Sequence, residues 1–166
     1  YNIEGSFLKN LKLLEGDWNK PKEIIKNIQN QRIKLLTSVH SLCTQKVFLE
    51  AASALAGLNP EYLAFNSLFY DGPMDVLIHI RSNEYLMEDS NPDADFNIHS
   101  LPNAIKDMNK LGYSLVADQV FEIDSKLEKP KGNKRGTYTM KTELSDFTQF
   151  SGPVYLPWRF LLFQKS

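Results

Sequence analysis

Apolar positions in the first half of the chain fall into short runs separated by helical stripes. Residues 11 to 15 and Ile33 to Val39 are brief apolar runs that close on small or polar residues, and each predicts a strand. Between them, Pro21 to Gln31 carries Ile24, Ile25 and Ile28 on one helical face, with proline near the first turn. A strand, a short helix and a second strand predict a crossover between parallel neighbours. Thr44 is positioned to cap a further helix, whose stripe of Val47, Phe48, Ala51, Ala52 and Leu55 ends at Gly57. Tyr62 to Phe69 is almost continuously apolar, the pattern of a strand buried on both faces.

The second half is less regular. Met74 to Arg81 fits a strand or a helix equally, and Ser82 to His99 is polar with a turn signal at Asn91-Pro92, which predicts a long loop. Ser100 and Pro102 open a helix bearing Ile105, Met108 and Leu111, and Gly112 closes it. Tyr113 to Ile123 predicts a long strand, Lys126 to Arg135 a basic hairpin tip, Thr137 to Glu143 the return, and Trp158 to Phe163 a final strand. The expected fold class is α/β: one domain over 1–166, with an open, mostly parallel sheet, helical crossovers and an antiparallel C-terminal strand block.

Composition narrows the function classes. A chain of 166 residues with 42% hydrophobic residues supports a single core. A net charge of −1 gives no electrostatic footprint for nucleic acid, and no apolar run approaches the ~20 residues of a membrane span. The single cysteine, Cys43, forms no internal disulfide, which points to a reducing cytoplasm and to a structural role for that thiol. The sequence starts at Tyr1 without a signal-peptide pattern, and the expectation is that it is part of a longer protein.

The candidate chemistry lies at strand ends. Ser38, Val39 and His40 follow one apolar run, Asp17 and Trp18 follow another, and Asn66, Phe69, Tyr70 and Asp71 end the central one. Polar groups at the carboxyl ends of parallel strands border the crevice where open α/β sheets bind ligands. An imidazole's unperturbed pKa lies close to neutrality, so His40 fits a general base or a histidine hydrogen-bonded at a strand end. Phe69 and Tyr70 fit one wall of an acceptor pocket, with Asp71 binding a cationic or hydroxyl acceptor; the competing reading makes them core aromatics before an ordinary turn at Asp71-Gly72-Pro73. Trp158 reads as core and His99 as solvent-facing. Asp89, Asn91, Asp93 and Asp95 open like a calcium loop, but the pattern fails at Ala94 and Ser100, and no metal site is expected. The basic segment Lys126 to Arg135 reads as a solvated tip that keeps a sheet edge soluble.

Together with the element order, Leu14-Glu15-Gly16-Asp17-Trp18, Leu36-Thr37-Ser38-Val39-His40-Ser41-Leu42 and the ending Pro157-Trp158-Arg159-Phe160-Leu161-Leu162-Phe163-Gln164-Lys165 resemble the second half of a class I S-adenosylmethionine-dependent methyltransferase. The resemblance spans nearly the whole chain and implies a Rossmann-like sheet. It implies S-adenosylmethionine as cofactor, with Asp17 and Trp18 near adenine, Ser38, Val39 and His40 near the transferred methyl, and Glu4 on the ribose hydroxyls. The acceptor implied is an unidentified small molecule. That family's glycine-rich first motif is absent, and no G-x-G-x-x-G run occurs in the chain. Two expectations follow: a methyltransferase domain whose N-terminal part is missing, or a non-catalytic α/β module that binds a protein partner.

Overall fold

The computed structural model describes residues 32–81, 93–131, 136–143 and 145–166. In chain order these form β1 (Leu35–Val39), a 3-10 turn (Leu42–Thr44), α1 (Phe48–Ala56), β2 (Tyr62–Tyr70), β3 (Val76–Arg81), β4 (Asp93–Ser100), α2 (Leu101–Lys110), β5 (Tyr113–Val120), β6 (Thr137–Met140), β7 (Thr148–Ser151), β8 (Val154–Tyr155) and β9 (Trp158–Lys165). The main sheet has six strands in the order β3-β4-β2-β9-β5, with β1 also paired to β2. A second sheet has three strands, β6-β7-β8.

Burial explains why β2 is a strand without being rich in β-branched residues. It lies between β1 and β4 on one side and β9 on the other, and Leu63, Phe65, Leu68 and Phe69 are at most 1% exposed. Alternation along the strand and the registers Leu63↔Phe163 and Phe65↔Leu161 put Leu63, Phe65, Phe69, Leu161 and Phe163 on one face of the sheet, with Leu68 on the other in a smaller core cluster. Against the first face pack Phe48, Ala51, Ala52 and Leu55 of α1, and Leu101, Ala104 and Met108 of α2. The spacing of each set is one helical stripe, and burying it is what stabilises helices this short. Ser100 caps α2 through its hydroxyl, which accepts from the Asn103 N–H at 3.3 Å, and Gly112 takes the left-handed conformation just past its end, with φ 82°.

The expected open, mostly parallel Rossmann-like sheet with helical crossovers is not what forms. The molecule is mostly strand, with two α-helices among the described residues, and the main sheet is mixed. β1 does pair parallel with β2, and β4 joins β2 parallel over two residue pairs, Phe69↔His99 and Tyr70↔Ser100. β9, however, runs antiparallel to both β2 and β5, β3 is antiparallel to β4, and the second sheet is antiparallel throughout. Both described helices cover the same face, whereas a doubly wound sheet needs helices on both. Apolar runs mark which segments are buried but not the direction in which they pair.

Other expectations are corrected in detail. Met74 to Arg81 resolves as β3, and the loop expected up to His99 ends in β4, where Phe96 and Ile98 alternate with buried Asn97 and His99. Polar residues facing inward removed the apolar pattern that would have marked that strand. Asp93 and Asp95 therefore lie in a ladder opposite Arg81 and His79 rather than in the polar loop expected there. Tyr113 to Ile123 does not return through Thr137 to Glu143: β5 pairs with β9, and β6 pairs with β7. Thr44 closes the 3-10 turn, donating its hydroxyl to the Ser41 carbonyl at 2.8 Å, and α1 starts only after Val47. The expected strand at 11 to 15 and the helix from Pro21 to Gln31 lie outside the described residues.

Candidate functional site

The carboxyl ends of β1 and β2 meet the start of β9, and His40 sits where they converge. It follows the last residue of β1 with φ 58°, in the left-handed region. That conformation is uncommon for a side chain of its size and costs roughly 1–2 kcal/mol. Both of its backbone groups are held: the N–H donates to the Asn66 carbonyl at 2.9 Å, and the carbonyl accepts from the Cys43 thiol at 3.2 Å. The imidazole stacks on Trp158, with ring centroids 4.2 Å apart and planes 26° from parallel. Trp158 opens β9 opposite Leu68 of β2, and its carbonyl accepts from the Phe121 N–H at 2.9 Å.

Between this edge of the main sheet and the small sheet lies a cavity of about 750 Å³. Val39, His40, Asn66 and Trp158 face it from the first side, Thr137 and Gln149 from the second. Phe121 and Phe160 also line it and pack edge to face, 5.6 Å between centroids. No Asp, Glu, Lys or Arg side chain is among the described lining residues. The small sheet is tethered there by backbone bonds: the Leu156 N–H donates to Gln149, and the Phe69 N–H donates to the Pro157 carbonyl.

A second cavity of about 350 Å³ is lined by Tyr70, Asp71, Tyr155 and Arg159. The Arg159 side chain is only 11% exposed and spans two carboxylates, Nη1 to Asp71 at 2.7 Å and Nε to Asp118 at 3.2 Å. Burial works against its charge, but the Asp71 bond and the field of both acids outweigh it and raise the guanidinium above its ordinary range. The Tyr155 phenol is pushed up by burial, with Asp71 adding to the shift and Arg159 opposing it.

The residues singled out by sequence separate into groups. Val39, His40 and Asn66 share the larger cavity. Ser38 is buried just behind it, its hydroxyl 2.6 Å from that of Ser41. Tyr70 and Asp71 border the smaller cavity, where the Asp71 carboxylate is engaged by Arg159, and Phe69 belongs mainly to the core at 1% exposure. Glu4, Asp17 and Trp18 lie outside the described residues. Cys43 borders the larger cavity as a buried neutral thiol, its pKa raised chiefly by burial.

His99, expected to face solvent, is fully buried. Its Nε2–H donates to the Leu42 carbonyl at 3.0 Å, and its ring lies against Phe48 and Phe69. Trp158, read as core, packs partly buried against the smaller core cluster and also lines the larger cavity. Phe121, Thr137 and Gln149 carried no recognisable signal because they reach the cavity only through the pairing of β5 with β9 and of β6 with β7. Pro157-Trp158 did carry one, since proline before an aromatic marks the first residue of a strand, where a side chain reaches the end of the sheet.

Among the described residues no group of three His, Cys, Asp or Glu side chains is arranged to hold a metal ion. No described helix is long and apolar enough to cross a membrane. Compared with known proteins, the chain matches no family model and no curated relative.

Proposed function

We propose that the larger cavity is the acceptor site of a small-molecule methyltransferase that uses S-adenosylmethionine, working in the cytoplasm. The observation that carries this reading is the juxtaposition at the ends of parallel β1 and β2. There a histidine held in a left-handed backbone conformation presents its ring to a cavity of about 750 Å³, within the roughly 300–1,000 Å³ typical of small-molecule sites. Strained residues persist where the surrounding structure over-determines them, and they cluster at functional sites.

The cofactor supplies an already activated methyl group on a sulfonium. The protein's work is then to position an acceptor and to receive one proton. Where the described residues reach, exposed Val39 offers an apolar surface to the methyl-bearing end of that group. Ser38 stiffens the strand end through Ser41 rather than facing the cavity as a ligand. The adenine and ribose contacts are assigned to Asp17, Trp18 and Glu4. His40 is the group that takes the acceptor proton; its backbone bonds to Asn66 and Cys43 fix where the imidazole sits.

Two variants test the assignment. Asp17→Ala should weaken S-adenosylmethionine binding by about 1.5–3 kcal/mol, the worth of one charge-assisted hydrogen bond, with saturated turnover little changed. His40→Ala should lower turnover more than cofactor affinity. Calorimetric titration of the cofactor, together with transfer of a radiolabelled methyl group to a panel of small acceptors, measures both. Failure of the chain, and of a version extended upstream, to bind S-adenosylmethionine at all would overturn the reading and favour a module that binds a protein partner.

A further inference from the structure

Arg159, beside the smaller cavity, is held far more firmly than the acid it faces. It lies in β9 with β2 on one side and β5 on the other, in register with Ser67 and Val120. Its side chain is 11% exposed, and Asp118 of β5 fixes the guanidinium from Nε at 3.2 Å. The opposite edge forms a fork: Nη1 and Nη2 donate to the two oxygens of Asp71 at 2.7 and 3.4 Å. The Asp71 side chain is 77% exposed and belongs to the bend just past β2. Solvent screens a pair that is open on one side, so this contact holds Asp71 only weakly. The fork is fixed by the sheet, whereas the carboxylate in it is free to exchange.

What occupies the fork shows what else fits it. Paired N–H donors match the two oxygens of a carboxylate, and Asp71 demonstrates that a carboxylate reaches them. Arg159 borders the cavity of about 350 Å³, whose walls include Tyr70, Val120, Tyr155 and Trp158. Three of these four are aromatic, so a flat body behind the carboxylate gains stacking and edge contacts. The Tyr155 phenol, its pKa pushed up chiefly by burial, stays a hydrogen-bond donor and stands in the fields of both Arg159 and Asp71.

We infer that the smaller cavity binds an aromatic carboxylic acid, whose carboxylate takes the place of Asp71 on the Nη edge of Arg159 while its ring lies among Tyr70, Tyr155 and Trp158. Asp71 is then an internal competitor. Without ligand it fills the fork; with ligand it turns to solvent. Asp118 stays on Nε throughout, so Arg159 keeps one carboxylate and exchanges the other. The inference stands apart from the methyl-transfer reading, since among the described lining residues Trp158 alone is common to both cavities.

The test is calorimetric titration of the full chain with 2-naphthoate, 2-naphthamide and acetate. 2-Naphthoate should bind at least about tenfold more tightly than 2-naphthamide, which has the ring without the charge, or acetate, which has the charge without the ring. Asp71→Asn removes the competitor and its repulsion, and should tighten 2-naphthoate about fivefold or more while changing 2-naphthamide by less than about twofold. Arg159→Lys keeps a charge but loses the fork; in the Asp71→Asn background it should weaken 2-naphthoate about tenfold. Thermal unfolding reports whether each variant is folded, and the Asp71→Asn result decides alone should Arg159→Lys fail to fold. Equal binding of naphthoate and naphthamide overturns the inference, as does a naphthoate affinity that Asp71→Asn leaves unchanged or lowers. So does the absence of naphthoate binding in both the natural chain and Asp71→Asn, or full binding by a folded Arg159→Lys variant.

Discussion

The two sheets that enclose the cavity are built differently. In the main sheet, Leu63, Phe65, Leu161 and Phe163 face two helices and are at most 1% exposed. In the small sheet, Tyr138 is buried but Met140 is 50% and Tyr155 39% exposed, and β8 has only two residues. The first sheet has a core and the second borrows one. Stability should therefore reside in the β2-β9-β5 ladder. The β6-β7-β8 sheet serves mainly to give the cavity its far wall. Binding chemistry built from one rigid side and one lightly held side can change its far wall without endangering the fold.

The sharpest way to break this comparison is to remove a large side chain from the core. Phe163→Ala should cost about 3–5 kcal/mol, read by chemical denaturation, because Phe163 is fully buried between the sheet and the helices. A cost below 1 kcal/mol would show that the main sheet is not the stable half.

A matched pair sharpens it. The Tyr113 hydroxyl donates to the Pro60 carbonyl at 2.8 Å in a buried setting, and the Tyr138 hydroxyl donates to the Gly152 carbonyl at 2.7 Å in a partly buried one. Tyr113→Phe should cost about 1–3 kcal/mol, since it strands a buried acceptor, whereas Tyr138→Phe should cost about 0.5–1.5 kcal/mol. Amide exchange should then rise locally in β6 and β7 for the second variant, while β2 and β9 remain protected.

At the junction of the two sheets, His40→Gly should be more stable than His40→Ala by about 1–2 kcal/mol. Both lack the ring, and only glycine relieves the left-handed backbone. Equal stabilities would mean that the strain at this position is not real. The smallest effect is expected at the exposed Asp71: replacing it by asparagine should cost under about 1 kcal/mol, because Asp118 still accompanies Arg159.

How much of this was legible in the sequence depends on how each segment is buried. β1, β2, β5, β9 and both helices carry apolar patterns, and all were located to within a few residues; the parallel pairing of β1 with β2 agrees with the parallel part of the expected sheet, and the antiparallel pairing of β5 with β9 with its C-terminal block. β4 was missed because Asn97 and His99 are buried polar residues, which only the assembled structure makes acceptable. β7 and β8 were missed because four and two residues are too few to show a period. The predominance of antiparallel pairing was hidden because pairing direction depends on connections, and the sequence reading joined β5 to β6 through the basic segment. At the site, His40 and Asn66 stood out as polar strand ends, but the rest of the cavity lining depends on residues 121, 137, 149 and 158, which are brought together only by sheet pairing.

β9 comes after every other described strand in the chain, yet it lies between β2 and β5. On the ribosome, residues 32–157 therefore emerge with two facing strand edges that no earlier described strand joins. Trp158, which lines the cavity, belongs to the same late segment. The described six-stranded sheet is thus completed, and Trp158 brought to the cavity, only when residues 158–165 arrive, and both open edges need protection until then.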